Sequence, residues 1–271
     1  MGTVRLSDVA KALPRVLSDL FSPIAVAAVR PFAPVCNFSV IIPTFNESEN
    51  IAGSIQSLRK APLIADIIVA DGGSSDDTRS IAAGLDARVI QGKKGRGCQI
   101  HAGIRHCQGE VILILHADCL MVSGMFDRIL ALLNKDSKLI GGALGMRFEG
   151  GDARARLVSA LNNIRARYFG ISFGDQCQFF RKEGLSLIGG FPDQMLMEDV
   201  ELSLRLKAQG AVCYIPDGVV VSSRRWERTG FAHNVGKVLT LFLTYLVKRR
   251  AGADDLGGEA DYARYYGKGD F

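Results

Sequence analysis

The chain has 271 residues, 48% of them hydrophobic, with 33 Lys plus Arg against 28 Asp plus Glu and a formal net charge of +5. That composition supports a sizeable buried core and excludes disorder and collagen. The charge is mild and of mixed sign, so it favours an anionic ligand and gives no case for a nucleic-acid partner.

Residues 1–37 read as an N-terminal helical arm, with Leu6, Val9, Leu13, Leu17 and Leu20 at near-helical spacing before Pro23, Pro31 and Pro34. Asp8, Asp19 and the missing cleavage signature argue against a targeting peptide. From Phe38 the pattern becomes βαβ: a strand at 39–42, an amphipathic helix with Ile51, Ile55 and Leu58, and a second strand at 66–70. Asn46 and Glu49 have the spacing of a capping box for that helix. Further strands are predicted at 87–90 and 111–115, the latter apolar on both faces and therefore central. After a strand near Gly141 comes a long helix expected to bury Leu157, Leu161, Ile164 and Tyr168, leaving Arg154, Arg156, Arg165 and Arg167 on a face that reads as solvated and basic or, alternatively, as a contact for an anionic acceptor or membrane surface. The expected class is α/β: a nucleotide-binding, Rossmann-like, mostly parallel sheet flanked by helices, with helical extensions at both ends.

Six scattered cysteines without CxxC or zinc spacing point to a reduced, cytoplasmic compartment. The apolar run Val238–Val247 is half of the ~20 residues a spanning helix needs. Val235–Val247 with Lys248, Arg249 and Arg250 reads equally as peripheral membrane contact, homodimer interface or core. The expected organisation is an arm (1–37), a catalytic domain (38–230), and a C-terminal helix and tail (231–271).

In such a sheet, ligands sit outside the carboxyl ends of the strands. Three strand ends carry polar groups there: Pro43-Thr44-Phe45-Asn46-Glu47, Asp71 to Asp77, and His116-Ala117-Asp118. Asp118 suits a hard cation, Mn²⁺ or Mg²⁺, that would neutralise a diphosphate. The loop 91–99, with Lys93, Lys94 and Arg96 among glycines, can receive phosphate; it is neither a Walker loop nor a dinucleotide fingerprint. Glu198 and Asp199 open a later helix, where a carboxylate can take a proton from an attacking hydroxyl.

The order of these pieces, over about Phe38 to Trp226, resembles the family 2 glycosyltransferases of the GT-A fold. VIIPTFNESENI is similar to the family's opening strand and nucleotide loop. IIVADGGSSDDT is similar to its second strand, with Gly72 where the family usually has a second Asp. LILHAD matches the Asp-x-Asp metal motif, His116 taking the first position. GGFP and MEDVELSLRLKAQG match the region of the Glu-Asp pair. GRGCQIHAG, LHAD and GDQCQFFR together most resemble the radical-SAM/selenodomain-associated branch.

The resemblance implies transfer of a sugar, with inversion, from a nucleotide-diphosphate sugar to an unidentified hydroxyl acceptor. Asp199 would be the general base and Glu198 would line the acceptor side. Pro43, Thr44, Asn46, Glu47 and Asp71 would hold the nucleoside, and Arg96, His116, Ala117 and Asp118 the diphosphate side. Arg225 and Trp226 would cover donor or acceptor, His233 would be a further metal ligand, and His101 a further contact. Ser222, in place of the Gln of processive members, implies a non-processive enzyme. Two rivals are a sugar-1-phosphate nucleotidyltransferase and a non-catalytic nucleotide-binding or membrane-associated protein retaining the fold. The first lacks its Gly-rich loop after the first strand; intact Asp118 and Asp199 argue against the second.

Overall fold

The computed structural model describes residues 31–59, 61–223, 230–253 and 256–266. The helical reading of residues 1–30 lies outside the described residues. Among the described residues eight strands are present: β1 (Phe38–Thr44), β2 (Ile64–Asp71), β3 (Arg88–Gln91), β4 (Val111–Ile114), β5 (Cys119–Met121), β6 (Leu139–Phe148), β7 (Gln178–Arg181) and β8 (Ala211–Val221). The described helices are α1 (Ile51–Leu58), α2 (Thr78–Gly84), α3 (Arg96–Ile104), α4 (Met125–Lys135), α5 (Ala153–Phe169), α6 (Gly184–Leu187), α7 (Glu198–Gln209), α8 (Phe231–Arg250) and α9 (Glu259–Tyr266).

The strands form one sheet in the order β3-β2-β1-β4-β7-β6-β8-β5. β3, β2, β1 and β4 are mutually parallel, while β7 and β5 run against their neighbours. The mostly parallel α/β expectation therefore holds.

β1 and β4 are buried along their whole length. Period-2 alternation splits them between two layers: Val40, Ile42, Val111 and Leu113 join one core with α1 and α4, and Ile41, Ile112 and Ile114 join another with α3 and α7. A third cluster packs Leu241, Tyr245, Leu246 and Val247 of α8 against Leu196, Met197 and Val200. The apolar run 235–247 therefore contributes to core packing, and Glu201 fixes its end by accepting from Tyr245 Oη (2.6 Å) and Arg249 Nε (2.6 Å). Among the described residues no helix is long and apolar enough to cross a membrane.

Residues just before β1 are held by Arg181, which is 1% exposed. Its guanidinium donates to the carbonyls of Leu139 (2.8 Å), Ala33 (2.6 Å) and Leu133 (2.6 Å), and it faces the Phe32 ring at 5.1 Å.

Two local expectations are overturned. α1 begins at Ile51 with Asn50 at its N-cap and no side-chain cap bond, so Asn46 and Glu49 form no capping box. Asn46 instead takes a positive φ of 54°, and its Oδ1 accepts from Ser75 N (2.9 Å), tying the β1 and β2 loops together. The second concerns α5, whose predicted core stripe faces outward: Leu157, Leu161, Ile164 and Tyr168 are 61%, 53%, 48% and 69% exposed. Its inner face is Ala155, Val158, Ser159, Asn162 and Ala166. Small and polar groups let the helix sit close to β6, where Asn163 exchanges hydrogen bonds with the Met146 backbone (3.0 and 2.9 Å).

Candidate active site

The ends of β1 and β2 are joined by side chains rather than left open. Asp71 is fully buried and accepts from the backbone N–H groups of Gly73 (2.9 Å) and Ser74 (2.8 Å), from Thr44 Oγ1 (3.2 Å), and from the Ser74 hydroxyl. Such a carboxylate shapes its own loop. Asp71 and Thr44, the latter 1% exposed, are thus bonded to each other within this strand end. Pro43 is buried in the same strand end, while Asn46 is exposed and Glu47 partly so. Asp76 locks the next turn by accepting from Ser48 N (3.0 Å) and Thr78 N (3.1 Å). Against the desolvation that opposes it, bonding from Thr78 and Ser48 draws the Asp76 carboxyl down to about 2.

Gln99, not singled out by its sequence, closes this edge: its amide donates to the carbonyls of Thr44 (2.6 Å) and Ala70 (2.9 Å). Gln99 belongs to α3, whose N-terminus follows the basic loop as expected. Lys94 of that loop sits 3.8 Å from the centre of the Phe45 ring. Gly97 must lack a side chain, because a Cβ there would collide with the Gln194 carbonyl oxygen. That close approach sets the start of α3 beside the start of α7.

There Arg96 meets the acid pair. Its Nε lies 2.9 Å from Glu198 Oε1 and its Nη2 3.8 Å from Asp199 Oδ2. Asp199 also accepts from the N–H of Gly174 (2.8 Å) and of Val200 (2.7 Å). Burial lifts the Glu198 carboxyl above the usual carboxylate range; Arg96 pulls the other way and Asp199 adds to the rise.

At the central strand end, Ser54 of α1 donates to the carbonyls of Ala117 (2.5 Å) and Cys119 (2.8 Å), fixing the turn that presents Asp118. Asp118 is partly exposed and lines a cavity of about 290 Å³ with Glu49, Asn50, Gly53, Glu149 and Ser222. His116 is pressed against Gly174, where a Cβ would strike its ring.

Asp175, in the 3₁₀ turn Gly174–Gln176, is the residue that sequence reasoning passed over although GDQCQFFR contains it. Its Oδ1 is enclosed without a hydrogen-bond partner. Burial pushes its carboxyl up to about 6, Arg165 opposing and the Asp118 and Asp199 charges reinforcing. The turn is gripped from α5: Arg165 donates to Gln176 Oε1 (2.8 Å), to Asn162 Oδ1 (2.7 Å) and to the Ile171 carbonyl (3.2 Å), and stacks on Phe173. Arg165 therefore leaves the solvated basic face assigned to it.

A folded carboxyl near 6 against an ordinary 3.8 holds a proton that the unfolded chain has released, so stability falls as pH rises across that window. Asp175→Asn is expected to raise the thermal midpoint of the metal-free protein at neutral pH, with the gain vanishing below the ordinary carboxylate value. A gain equal at both pH values would assign it to packing instead of charge.

Among the described residues no group of three or more His, Cys, Asp or Glu side chains is arranged to hold a metal ion. His233 is exposed in the first turns of α8 and joins no such group; Arg225 and Trp226 lie outside the described residues. The donor set still suits a hard cation that takes most of its oxygens from a phosphate ligand and water, with one or two carboxylates from the protein. Asp118 is accessible for this, and the unpartnered Asp175 oxygen lies among the same interacting charges.

The glycosyl transferase family 2 profile matches residues 39–187. The chain is similar to the amylovoran biosynthesis glycosyltransferase AmsE of Erwinia amylovora, at 27% identity over 195 residues, covering 66% of this chain and 73% of that protein. Among solved structures it is similar to the mannosyltransferase PcManGT of Pyrobaculum calidifontis in complex with GDP-Man and Mn²⁺: TM-score 0.59, 20% identity, 96% of this chain and 77% of that one. It is also similar to glucosyl-3-phosphoglycerate synthase of Mycobacterium tuberculosis in complex with Mn²⁺, UDP and phosphoglyceric acid: TM-score 0.56, 19% identity, 81% and 80%. These likenesses identify the fold as GT-A.

Proposed function

Because the chain belongs to the family 2 glycosyl transferases, we propose that it transfers a sugar from a nucleoside-diphosphate donor to a hydroxyl acceptor with inversion, Asp199 taking the acceptor's proton. The observation that carries this reading is the meeting of Arg96, Glu198 and Asp199 at the carboxyl edge of the sheet. It supports a cation for the departing diphosphate and a carboxylate for the incoming hydroxyl in one place.

Each residue has a defined task in this reading. Asp199, oriented by the Gly174 N–H, would receive the proton. Glu198, on the acceptor side, would hold Arg96 in position. Arg96 would balance negative charge developing on the diphosphate. Thr44, Asn46, Glu47 and Asp71 would face the nucleoside, with the Thr44–Asp71 bond and Gln99 keeping the loops in shape. Asp118 would hold Mn²⁺ or Mg²⁺; the metal would supply charge neutralisation of the diphosphate. GDP-mannose and UDP in the two similar structures support a nucleoside-diphosphate donor. Ser222 supports a non-processive reaction, and GRGCQIHAG, LHAD and GDQCQFFR support assignment to the radical-SAM-associated branch. Six free thiols are consistent with a reducing, cytoplasmic setting.

Calorimetry with UDP, GDP, CDP and dTDP, with and without Mn²⁺, tests the donor site. Selective, metal-enhanced binding is expected, weakened about tenfold or more by Asp118→Ala. A folded protein that binds none of the four would overturn the transferase reading in favour of a retained-fold protein without catalysis.

A further inference from the structure

The outward face of α5 calls for an apolar partner. At about 100° per residue, Leu157, Leu161, Ile164 and Tyr168 fall within about 60° of one another and run for about 16 Å along the helix. All four are more than 45% exposed. A helix side that meets only water carries polar groups; here the large apolar residues are outside and the small ones inside.

The flanks of this stripe are cationic. Arg154 lies on one side and Arg156 and Arg167 on the other, all exposed, with Asp152 at the N-cap as the acid at the end of the helix. An apolar row between arginine rows matches an anionic bilayer surface, where side chains enter the acyl boundary and guanidinium groups meet headgroup phosphates. Tyr168, apolar in its ring and polar at its tip, suits the same boundary. A second copy stacked stripe to stripe would set the arginine flanks of the two copies against each other, which disfavours self-association.

We propose that α5 is a docking helix for an anionic membrane surface, engaged through Leu157, Leu161, Ile164 and Tyr168 and steered by Arg154, Arg156 and Arg167. The inference is independent of the transferase reading. It does have a geometric consequence: α5 also grips the turn that carries Asp175, so docking holds the site about one helix diameter, roughly 10 Å, from the lipid.

The test is sedimentation of the full chain with vesicles of phosphatidylcholine alone or mixed with phosphatidylglycerol, at low and high salt. Binding to the anionic vesicles, weakened by salt and reduced about tenfold or more in Leu157→Gln/Leu161→Gln/Ile164→Gln, is the expected result. The three side chains are half exposed or nearly so, so the variant should keep the native thermal midpoint, which is checked alongside. No pelleting with anionic vesicles overturns the proposal. So does binding that the triple variant retains, which would assign attraction to charge elsewhere on the surface. A concentration-dependent dimer, abolished by the same substitutions, overturns it in favour of a second copy on this face.

Discussion

Asp199→Asn is expected to lower the rate of sugar transfer by about 10²–10⁴-fold, the range attributable to a positioned general base, while donor affinity changes little. Asn keeps the shape of the side chain and one oxygen for the N–H of Gly174 or of Val200, which the carboxylate now bonds at 2.8 and 2.7 Å. It loses the ability to take a proton. Because the second of those N–H groups would meet an amide NH₂, a modest stability loss of about 1–2 kcal/mol accompanies the change. Three readouts separate the roles: turnover with saturating donor, nucleotide affinity by calorimetry, and thermal midpoint. Turnover that falls while affinity and midpoint hold supports the base. Transfer kept within about tenfold would remove Asp199 from that role. Lost donor binding together with unfolding would reduce it to a helix-start residue that orders the Gly174 turn.

The parallel half of the sheet was legible because its signals are local. The apolar runs of β1 and β4, buried on both faces, distinguish central strands without any knowledge of their neighbours. Polar residues following those runs then fall at the carboxyl edge by topology alone. The mixed half has no such signature: β8 joins β6 in parallel on one side and β5 antiparallel on the other, partners far away in sequence. α5 misled for a physical reason. Helical spacing of Leu157, Leu161, Ile164 and Tyr168 reports an apolar stripe, but not which side the sheet lies on, and here small residues took the inner face. Asp175 was hidden similarly, since its environment comes from Arg165 on α5, Asp118 after β4 and Asp199 on α7. Asn46 and Glu49 had the spacing of a cap, yet bonding between the β1 and β2 loops claimed Asn46 first.

The second large effect is expected at Arg96. Its side chain is 24% exposed, whereas Glu198 is 2% exposed, so Arg96→Ala leaves an enclosed carboxylate without its cation. Removing one partner of such a pair costs about 3–5 kcal/mol; the partial exposure of Arg96 argues for the lower end, about 3 kcal/mol. The sign with pH follows from the raised Glu198 carboxyl. Without Arg96 the folded chain favours the protonated acid still more, so the variant loses most stability at neutral pH and recovers as pH falls towards the ordinary value of 4.5. Arg96→Ala/Glu198→Gln separates this electrostatic burden from chemistry: removing both charges should restore most of the thermal midpoint. It should not restore transfer, since no guanidinium remains to oppose charge on the diphosphate. A double variant that regains turnover with stability would show that Arg96 acts only by holding Glu198. If neither variant changes the midpoint, the 2.9 Å pair contributes nothing to folding, and the expected link between the α3 start and the acid pair fails with it.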